Sequence, residues 1–103
     1  MPKKRILFIV NPISGHRDKR RFREQVANVL GFENITYEIV FTERAGHATA
    51  LAEEAVGVYD IVAAVGGDGT LNEVARGLVG TETALAVIPC FFMKLLMFLK
   101  RFK

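Results

Sequence analysis

Short apolar runs alternate along the chain with longer segments whose apolar residues recur at helical spacing. Short apolar or alternating runs are typical of strands, and recurrence every three or four residues is typical of amphipathic helices. The pattern predicts strands at 5–10, 35–41, 60–65 and 84–88, and helices at 17–30, 47–56 and 70–79. Glycines at positions 31, 57 and 80 follow the three helices, as expected of residues that end them.

The strict alternation of strand and helix favours a parallel sheet covered by helices on both faces. We therefore predict a three-layer, doubly wound (Rossmann-like) α/β domain with a mainly parallel sheet of about four strands. The first and third strands are almost entirely apolar, which indicates burial on both faces. Such sheets bind ligands at the carboxyl ends of their strands, so we expect a functional site in the loops that follow the strands.

The loop after the third predicted strand contains three glycines around one aspartate. Gly66, Gly67 and Gly69 permit unusual backbone angles and let a ligand approach the main chain closely. The loop leads directly into a helix at Thr70, and the free N–H groups at a helix start favour an anion. Asp68 would repel a phosphate unless a divalent cation lay between them, as in magnesium sites. The segment therefore predicts a phosphate site with Mg²⁺ held near Asp68.

A structural interpretation of the same segment is a capping box, in which Thr70 and Glu73 satisfy the first N–H groups of the helix. That box explains these two residues, but it does not explain three glycines around an aspartate. Two other phosphate motifs are excluded: the chain lacks G-x-x-x-x-G-K-[ST], and the segment lacks the third glycine of the dinucleotide fingerprint.

Polar residues also follow the first and second predicted strands. The segment at 11–15 reads Asn-Pro-Ile-Ser-Gly, which by itself is typical of a turn. At a strand's carboxyl end, however, Asn11 and Ser14 are candidates for contacts with a nucleotide. Thr42 and His47 point to the same edge, although Thr42 alone is more typical of a turn or cap and His47 of a helix surface.

The 14 basic and 11 acidic residues give a net charge of +3, but the excess is local. Residues 90–103 contain four basic and no acidic residues, which leaves ten basic against eleven acidic residues in 1–89. A nucleic-acid-binding domain normally has a basic face within its fold, so no nucleic-acid partner is expected. The five basic residues at 17–23 are interpreted as a solvated helix face, with attraction of ATP or an acidic membrane as the alternative.

The single cysteine, Cys90, excludes an internal disulfide and a cysteine-rich zinc site. The first residues are basic, and the apolar run that follows is too short for a signal peptide, so the cytoplasm is the expected compartment. No apolar stretch of the sequence reaches the roughly 20 residues that a membrane-spanning helix requires.

Three motifs together resemble the catalytic domain of the diacylglycerol kinase family, which includes bacterial lipid kinases. They are Asn-Pro-x-Ser-Gly at 11–15, Thr42 with Gly-His-Ala at 46–48, and Gly-Gly-Asp-Gly-Thr-Leu-Asn-Glu-Val at 66–74. The Gly-Gly-Asp-Gly core alone is shared with NAD kinases and phosphofructokinases. The first motif and the Asn-Glu continuation favour the lipid kinases, and the resemblance covers residues 4–89.

The resemblance implies the ATP-binding, amino-terminal part of a lipid kinase that transfers the γ-phosphoryl group of ATP to a lipid hydroxyl, such as that of diacylglycerol. It implies that Asn11, Thr42, Gly67 and Thr70 contact ATP, with Asp68 near the phosphates and Mg²⁺. Catalysis would then consist mostly of positioning and charge neutralisation. Two alternatives stay open: a fragment of an NAD-kinase-like enzyme, and a non-catalytic module that binds nucleotides or associates with membranes.

After Ile88 and Pro89 the sequence departs from the family, which continues with a Gly-Thr-Gly/Ala-Asn-Asp segment and a second, β-sandwich domain. Here residues 90–103 are rich in Phe, Leu, Met and Lys instead. We therefore divide the chain into a nucleotide-binding domain at 1–89 and a non-family tail at 90–103, and expect a truncated or frameshifted chain with little kinase activity. The apolar tail is expected either to lie on an anionic membrane surface or to support homo-oligomerisation.

Overall fold

The computed structural model describes residues 3–12, 18–31 and 34–88, which form a four-stranded sheet and three helices. The strands are β1 (Lys4–Val10), β2 (Ile35–Phe41), β3 (Ile61–Val65) and β4 (Ala84–Ile88). The helices are α1 (Lys19–Leu30), α2 (His47–Ala55) and α3 (Asp68–Leu78). Each predicted strand and helix is therefore confirmed, and the differences lie in where some of them begin and end.

The sheet has the strand order β2-β1-β3-β4, and every neighbouring pair is parallel. β1 and β3 occupy its centre, and their buried stretches Leu7–Val10 and Val62–Val65 confirm the prediction of strands covered on both faces. The chain passes from β1 to one side to form β2, then crosses back to form β3 and β4. Because crossovers between parallel strands are right-handed, this reversal places α1 on one face and α2 and α3 on the other. The predicted three-layer, doubly wound architecture is confirmed.

α1 packs against its face of the sheet through large side chains. Phe22 and Val26 lie one helical turn apart and are the buried residues of α1. Phe22 meets Phe41 of β2 nearly edge-on, with ring centroids 6.0 Å apart and planes at 77°. Phe8 meets Tyr37 in a similar geometry, also at 6.0 Å. We call this the aromatic face; its buried residues are Phe8, Val10, Phe22, Val26, Phe41, Ala63 and Val65.

α2 and α3 pack on the opposite face, where small residues bring the two helices close together. A Cβ added to Gly77 of α3 would lie 2.7 Å from Ala52 Cβ and 2.7 Å from the carbonyl oxygen of Thr49, both on α2. The Thr49 hydroxyl donates a hydrogen bond of 2.8 Å to the Glu73 carbonyl oxygen. We call this the small-residue face; its buried residues are Leu7, Ile9, Ala48, Ala52, Ala55, Val62, Ala64, Val74 and Leu78.

The start of α3 corrects the sequence prediction. The helix begins at Asp68, two residues before the predicted start, with Gly67 as its N-cap residue. Glycine disfavours a helix by about 1 kcal/mol relative to alanine, which is why the sequence pattern placed the start after Gly69. Asp68 is an acidic residue in the first turn, where the helix dipole favours negative charge, and this offsets part of that preference. The other helix and strand ends that the structure describes differ from prediction by at most two residues.

Some expectations lie outside the described residues. The tail at 90–103 and the start of the first predicted helix at residue 17 are among them, so the domain boundary at 89 and the role of the tail stay predictions. Within the three described ranges, no helix has the length and apolar character needed to cross a membrane.

Candidate functional site

The carboxyl ends of the strands meet at one edge of the sheet, where the first loop residues extend the hydrogen-bonded ladder. Asn11 N–H donates to the carbonyl oxygen of Val65 at 3.1 Å, and Thr42 N–H donates to that of Val10 at 2.9 Å. Gly66 N–H donates to the carbonyl oxygen of the last residue of β4 at 3.4 Å. These backbone bonds hold Asn11, Thr42 and Gly66 side by side, as the sequence predicted for the loops after the strands.

The amino terminus of α3 lies at the same edge, and its N-cap residue, Gly67, makes no side-chain cap hydrogen bond. Gly67 has an extended backbone (φ −95°, ψ −166°), and its carbonyl oxygen accepts the N–H of Leu71 at 3.1 Å. Because glycine has no capping side chain, a ligand could satisfy the first N–H groups of the helix, and the helix dipole favours an anion there. Asp68 is the first residue of α3 and is exposed.

The glycines of this turn have different surroundings. A Cβ added to Gly66, which has a φ of +154°, would lie 2.8 Å from Thr70 Oγ1 and 3.4 Å from Asn11 Cβ. Gly66 therefore allows the end of β1 and the start of α3 to approach each other. A Cβ added to Gly67 or Gly69 would meet no atom of the described residues within 4 Å. Packing explains the first glycine, whereas the other two leave open space in front of the backbone.

A cavity of about 320 Å³ lies between the ends of β1 and β2 and the helices α2 and α3. This volume is at the lower end of the range of small-molecule sites, which is about 300–1,000 Å³. Three residues expected to contact a nucleotide, Asn11, Thr42 and Thr70, line the cavity. The remaining lining residues are Pro12, Glu43, Arg44, Ala45, Ala48 and Glu73.

The glycine turn and Asp68 adjoin this cavity without lining it. Thr70 joins the two parts, because its side chain lies against Gly66, is 6% exposed and lines the cavity. Ser14 lies outside the described residues, so its predicted contact stays a prediction. The other predicted site residues all lie around this one edge, either in the cavity wall or in the turn beside it.

The predicted capping box is wrong. Because α3 begins at Asp68, Thr70 is the third residue inside the helix, and the N-cap residue Gly67 makes no side-chain cap hydrogen bond. Glu73 is accordingly not at a helix start. Glu73 is among the residues that line the cavity, and its Oε1 atom is buried without a hydrogen-bond partner in the described part of the chain.

Glu73 is the residue whose role sequence reasoning missed. The sequence singled it out only as a helix cap and as part of the 66–74 motif. Its spacing contained a usable signal, since Glu73 follows Thr70 by three residues and precedes Gly77 by four, which places all three on one side of a helix. That side faces α2, as the contacts of Gly77 with α2 demonstrate.

His47 has a local structural role instead of a place in the cavity wall. It is the first residue of α2, and its Nδ1 atom accepts a hydrogen bond of 3.0 Å from Glu43 N–H. Gly46, just before it, adopts a left-handed conformation with φ +81°. The sequence placed His47 at the correct edge, and its imidazole orders the loop between β2 and α2.

Basic residues of α1 lie on the aromatic face near the end of β2. Lys19 Nζ lies 5.3 Å from the centroid of the Phe41 ring, and the Arg23 guanidinium lies at the same distance. Both side chains are exposed, in agreement with the interpretation of this segment as a solvated face. The cavity is bordered by α2 and α3, on the other side of the sheet.

Within the described ranges, no group of three or more His, Cys, Asp or Glu side chains is placed to hold a metal ion. A magnesium ion bound with a polyphosphate takes only one or two protein carboxylates, and phosphate oxygens and water complete its shell. Asp68, exposed at the start of α3, fits that donor set if a phosphate lies at the same helix terminus.

The fold and the site motifs agree with a comparison against protein families. The family model described as the diacylglycerol kinase catalytic domain matches residues 5–90. The chain belongs to this family. The resemblance that the three motifs indicated is thereby confirmed. The curated relatives of the chain carry the names of lipid kinases.

Individual relatives give the extent of the similarity to the diacylglycerol kinase family. The diacylglycerol kinase of Staphylococcus aureus (strain MRSA252) is 40% identical over 96 residues, covering 84% of this chain and 29% of that protein. The ceramide kinase of Mus musculus is 36% identical over 89 residues, covering 84% of this chain and 17% of that protein. The crystal structure of a diacylglycerol kinase from Bacillus anthracis str. Sterne matches with a TM-score of 0.68 at 28% identity, over 86% of this chain and 34% of that one. The chain thus spans about a third or less of the length of these relatives.

Proposed function

We propose that the carboxyl edge of the sheet binds ATP together with Mg²⁺, as the phosphoryl donor of a lipid kinase. One observation supports this most directly: the N-cap residue of α3 is a glycine without a capping side chain, and among the described residues Gly67 and Gly69 leave open space in front of the first N–H groups. Backbone N–H groups and the helix dipole at such a terminus suit phosphate oxygens. The adjoining cavity, lined by Asn11, Thr42 and Thr70, then takes the nucleoside half of the molecule.

Each residue has a separate task in this proposal. Gly67 and Gly69 give the phosphates access to the main chain, and Asn11, Thr42 and Thr70 orient the nucleotide. Asp68 holds Mg²⁺ on the phosphates, where the ion supplies neutralisation of their negative charge. Phosphoryl transfer depends mostly on such positioning and electrostatic stabilisation, so no nucleophile from the chain is required.

The proposed acceptor is a lipid hydroxyl. The relatives include enzymes named diacylglycerol kinase and ceramide kinase, both of which are named for lipids that carry a hydroxyl group. The similarity of this chain to both supports a lipid acceptor as a class.

Binding of the donor can be tested by titrating Mg-ATP into the chain and measuring its dissociation constant by calorimetry. Gly67→Ala and Gly69→Ala fill the open space with a methyl group, so each is expected to weaken ATP binding about 10-fold or more. Neither added methyl meets an atom within 4 Å in the part of the chain that the structure describes, so the melting temperature of the unliganded chain should not fall. Glu54→Gln, an exposed change on α2, is the matched control and should leave the affinity unchanged.

Asp68→Asn tests the metal part of the same proposal. The variant should lose most of the difference between ATP affinities measured with and without Mg²⁺, because the amide no longer provides an anionic ligand. Wild-type protein that binds ATP equally well with and without Mg²⁺ would contradict this assignment, while leaving the phosphate site itself intact.

Transfer can be tested in a chimera in which residues 5–88 replace the matching segment of the Staphylococcus aureus diacylglycerol kinase. We expect the chimera to phosphorylate diacylglycerol with radiolabelled ATP, and expect Gly69→Ala to lower that rate. A chimera that folds and binds ATP but transfers no phosphate to lipid would separate donor binding, which would stand, from lipid kinase function, which would not.

A further inference from the structure

Large apolar side chains are exposed on the outer strand of the sheet. In the described part of the chain, β4 has β3 as its only neighbouring strand, so β4 is an edge strand there. Leu85 and Val87 of β4 are 38% and 51% exposed. Their register partners on β3, Val62 and Ala64, are buried on the small-residue face. Natural proteins usually protect an edge strand with charges or cover it, and β4 has no charged residue.

α3 adds apolar residues beside β4. Gly77 faces α2, and Ala75, two residues before it, is about 200° away around the helix, on the side away from α2. Leu71 precedes Ala75 by one turn, and both are half-buried. Since α2 contacts β1 whereas α3 contacts β3 and β4, the side of α3 away from α2 borders β4. We call Leu71, Ala75, Leu85 and Val87 the β4 strip.

The tail that follows β4 has the composition and length to cover this strip. Residues 90–103 begin two positions after the last residue of β4 and lie outside the described residues. The apolar residues that recur every three or four positions, a spacing typical of one helix face, are Phe92, Leu95, Leu96, Leu99 and Phe102. Fourteen residues extend about 21 Å as a helix, and a five-residue strand extends about 16 Å, so the tail can span the whole of β4.

Charge also favours the tail as the cover. It has four basic and no acidic residues, whereas residues 1–89 have ten basic and eleven acidic residues. Glu82 is exposed two residues before β4 begins. A tail that runs back along β4 brings Lys100 and Arg101 toward that carboxylate, which attracts them. An anionic membrane would instead be repelled by Glu82.

The size of the strip argues against a separate partner. A stable protein interface uses about 20–30 residues on each side, and the β4 strip has four. A second chain also loses its translational and rotational freedom on binding. The tail is already attached next to the strip, so its effective concentration is high and a small contact is sufficient.

We propose that residues 90–103 fold back beside α3 and cover the β4 strip with their apolar side chains. The tail thereby protects the uncharged edge strand within a single chain. This inference does not depend on ATP binding, because the β4 strip shares no residue with the cavity wall or the glycine turn.

The position of the tail can be tested by fluorescence in the full chain. The sequence contains no tryptophan, so Phe92→Trp introduces a single reporter. Its emission should lie at a shorter wavelength than that of tryptophan amide in the same buffer, because the covered indole is removed from water. Leu85→Thr combined with Val87→Thr should move the emission to longer wavelength, since threonine suits a strand but brings a hydroxyl group to the contact. Val56→Thr combined with Val58→Thr is the matched control, at valines that are 37% and 47% exposed, and should leave the emission unchanged.

The melting temperature of the same variants, without the tryptophan, supplies a second measurement. Substitutions at positions in contact with water alone change stability little. The Leu85→Thr/Val87→Thr variant should therefore melt at a lower temperature than wild type, because it weakens a contact with the tail, and the Val56→Thr/Val58→Thr variant should not. Equal melting temperatures for wild type and the Leu85→Thr/Val87→Thr variant would overturn the proposal.

The remaining fluorescence outcomes also decide between occupants of the strip. Emission equal to that of tryptophan amide overturns the proposal, and so does a short-wavelength emission that Leu85→Thr/Val87→Thr leaves unchanged. A move to longer wavelength on dilution would assign the strip to a second copy of the chain. A move to shorter wavelength only with phosphatidylglycerol vesicles would assign the tail to a membrane surface. Either of these two results overturns cover within one chain.

Discussion

The two faces of the sheet are built on opposite principles. The aromatic face fills its space with large rings, namely Phe8, Phe22 and Phe41, and meets one helix. The small-residue face buries alanines such as Ala48 and Ala52 and includes two helices. These helices are so close that they leave no room for a methyl group at Gly77.

The two faces therefore contribute differently: one mainly to the stability of the fold, and the other mainly to the exact placement of two helices. Large buried side chains contribute most of the burial free energy per residue, and truncating them leaves cavities. Close helix contact through glycine and alanine contributes less area, but it fixes the relative position of α2 and α3. The candidate cavity lies at the end of that contact, with Ala48 of α2 and Glu73 of α3 in its wall. The aromatic face therefore mainly supports the fold, and the small-residue face mainly supports the site.

Phe22→Ala should produce the largest loss of stability, because Phe22 is 1% exposed and packs against Phe41. Truncation of a buried phenylalanine costs about 3–5 kcal/mol, a large fraction of the stability of a small domain. Urea denaturation followed by circular dichroism measures the free energy of unfolding. Phe22→Leu leaves a smaller void and should lose clearly less. Equal losses in the two variants would contradict the volume argument.

Gly77→Ala should produce the next largest effect, on the opposite face. The added Cβ lies 2.7 Å from Ala52 Cβ and from a backbone oxygen of Thr49, and a backbone atom cannot rotate away. Such overpacking costs about 1–3 kcal/mol, which equals or exceeds the gain of about 1 kcal/mol in helix propensity. Urea denaturation followed by circular dichroism again measures the change in the free energy of unfolding.

Gly69→Ala is the matched control for Gly77→Ala, since it makes the same change in the same helix where no atom lies within 4 Å. It should leave the free energy of unfolding unchanged or raise it by up to about 1 kcal/mol. If Gly77→Ala stabilised the chain as Gly69→Ala does, the close contact between α2 and α3 would not be a constraint. We further expect ATP binding to depend on the contact between α2 and α3 more than on the aromatic face. Gly77→Ala should therefore weaken ATP binding, and Phe22→Leu should not.

The fold could be predicted largely because apolar patterning and strand–helix alternation are local properties of the sequence. The buried runs at β1 and β3 and the glycines that end helices were sufficient for the architecture. The start of α3 could not be placed, since the low helix propensity of Gly69 argued for a later start, whereas an acidic residue such as Asp68 is also favourable in a first helical turn. That one shift of two residues turned the expected cap residues Thr70 and Glu73 into interior residues of the helix.

The site could be predicted where its residues follow strands directly. Asn11, Thr42 and Gly66 each begin a loop, so topology alone brings them to one edge. Glu73 could not be assigned in this way, because its environment depends on how closely α2 approaches α3. That distance is set by Gly77 against Ala52, a pairing between helices that no local pattern reveals.

Tyr59 should give the smallest effect, one confined to alkaline pH. It packs beside the small-residue face, and its hydroxyl donates a hydrogen bond of 2.8 Å to Glu38 Oε2 on β2. Burial raises the pKa of Tyr59 above its ordinary value of 10.0, and the Glu38 carboxylate raises it further by accepting that hydrogen bond and by its charge. The nearby Arg5 opposes these effects and lowers the pKa of Tyr59.

Because the pKa of Tyr59 is higher in the folded than in the unfolded chain, the native state holds the phenolic proton more tightly. The resulting stabilisation is complete below the unfolded pKa of about 10 and is lost as pH rises through the folded pKa. Tyr59→Phe should therefore lose less stability than wild type in urea denaturation as the pH rises past the unfolded pKa of about 10. Glu38→Gln removes the charge but not the burial, so its pH dependence should be intermediate. A wild-type chain that gains stability relative to Tyr59→Phe over this range would have the opposite sign, and Tyr59 would then not retain its proton through contact with Glu38.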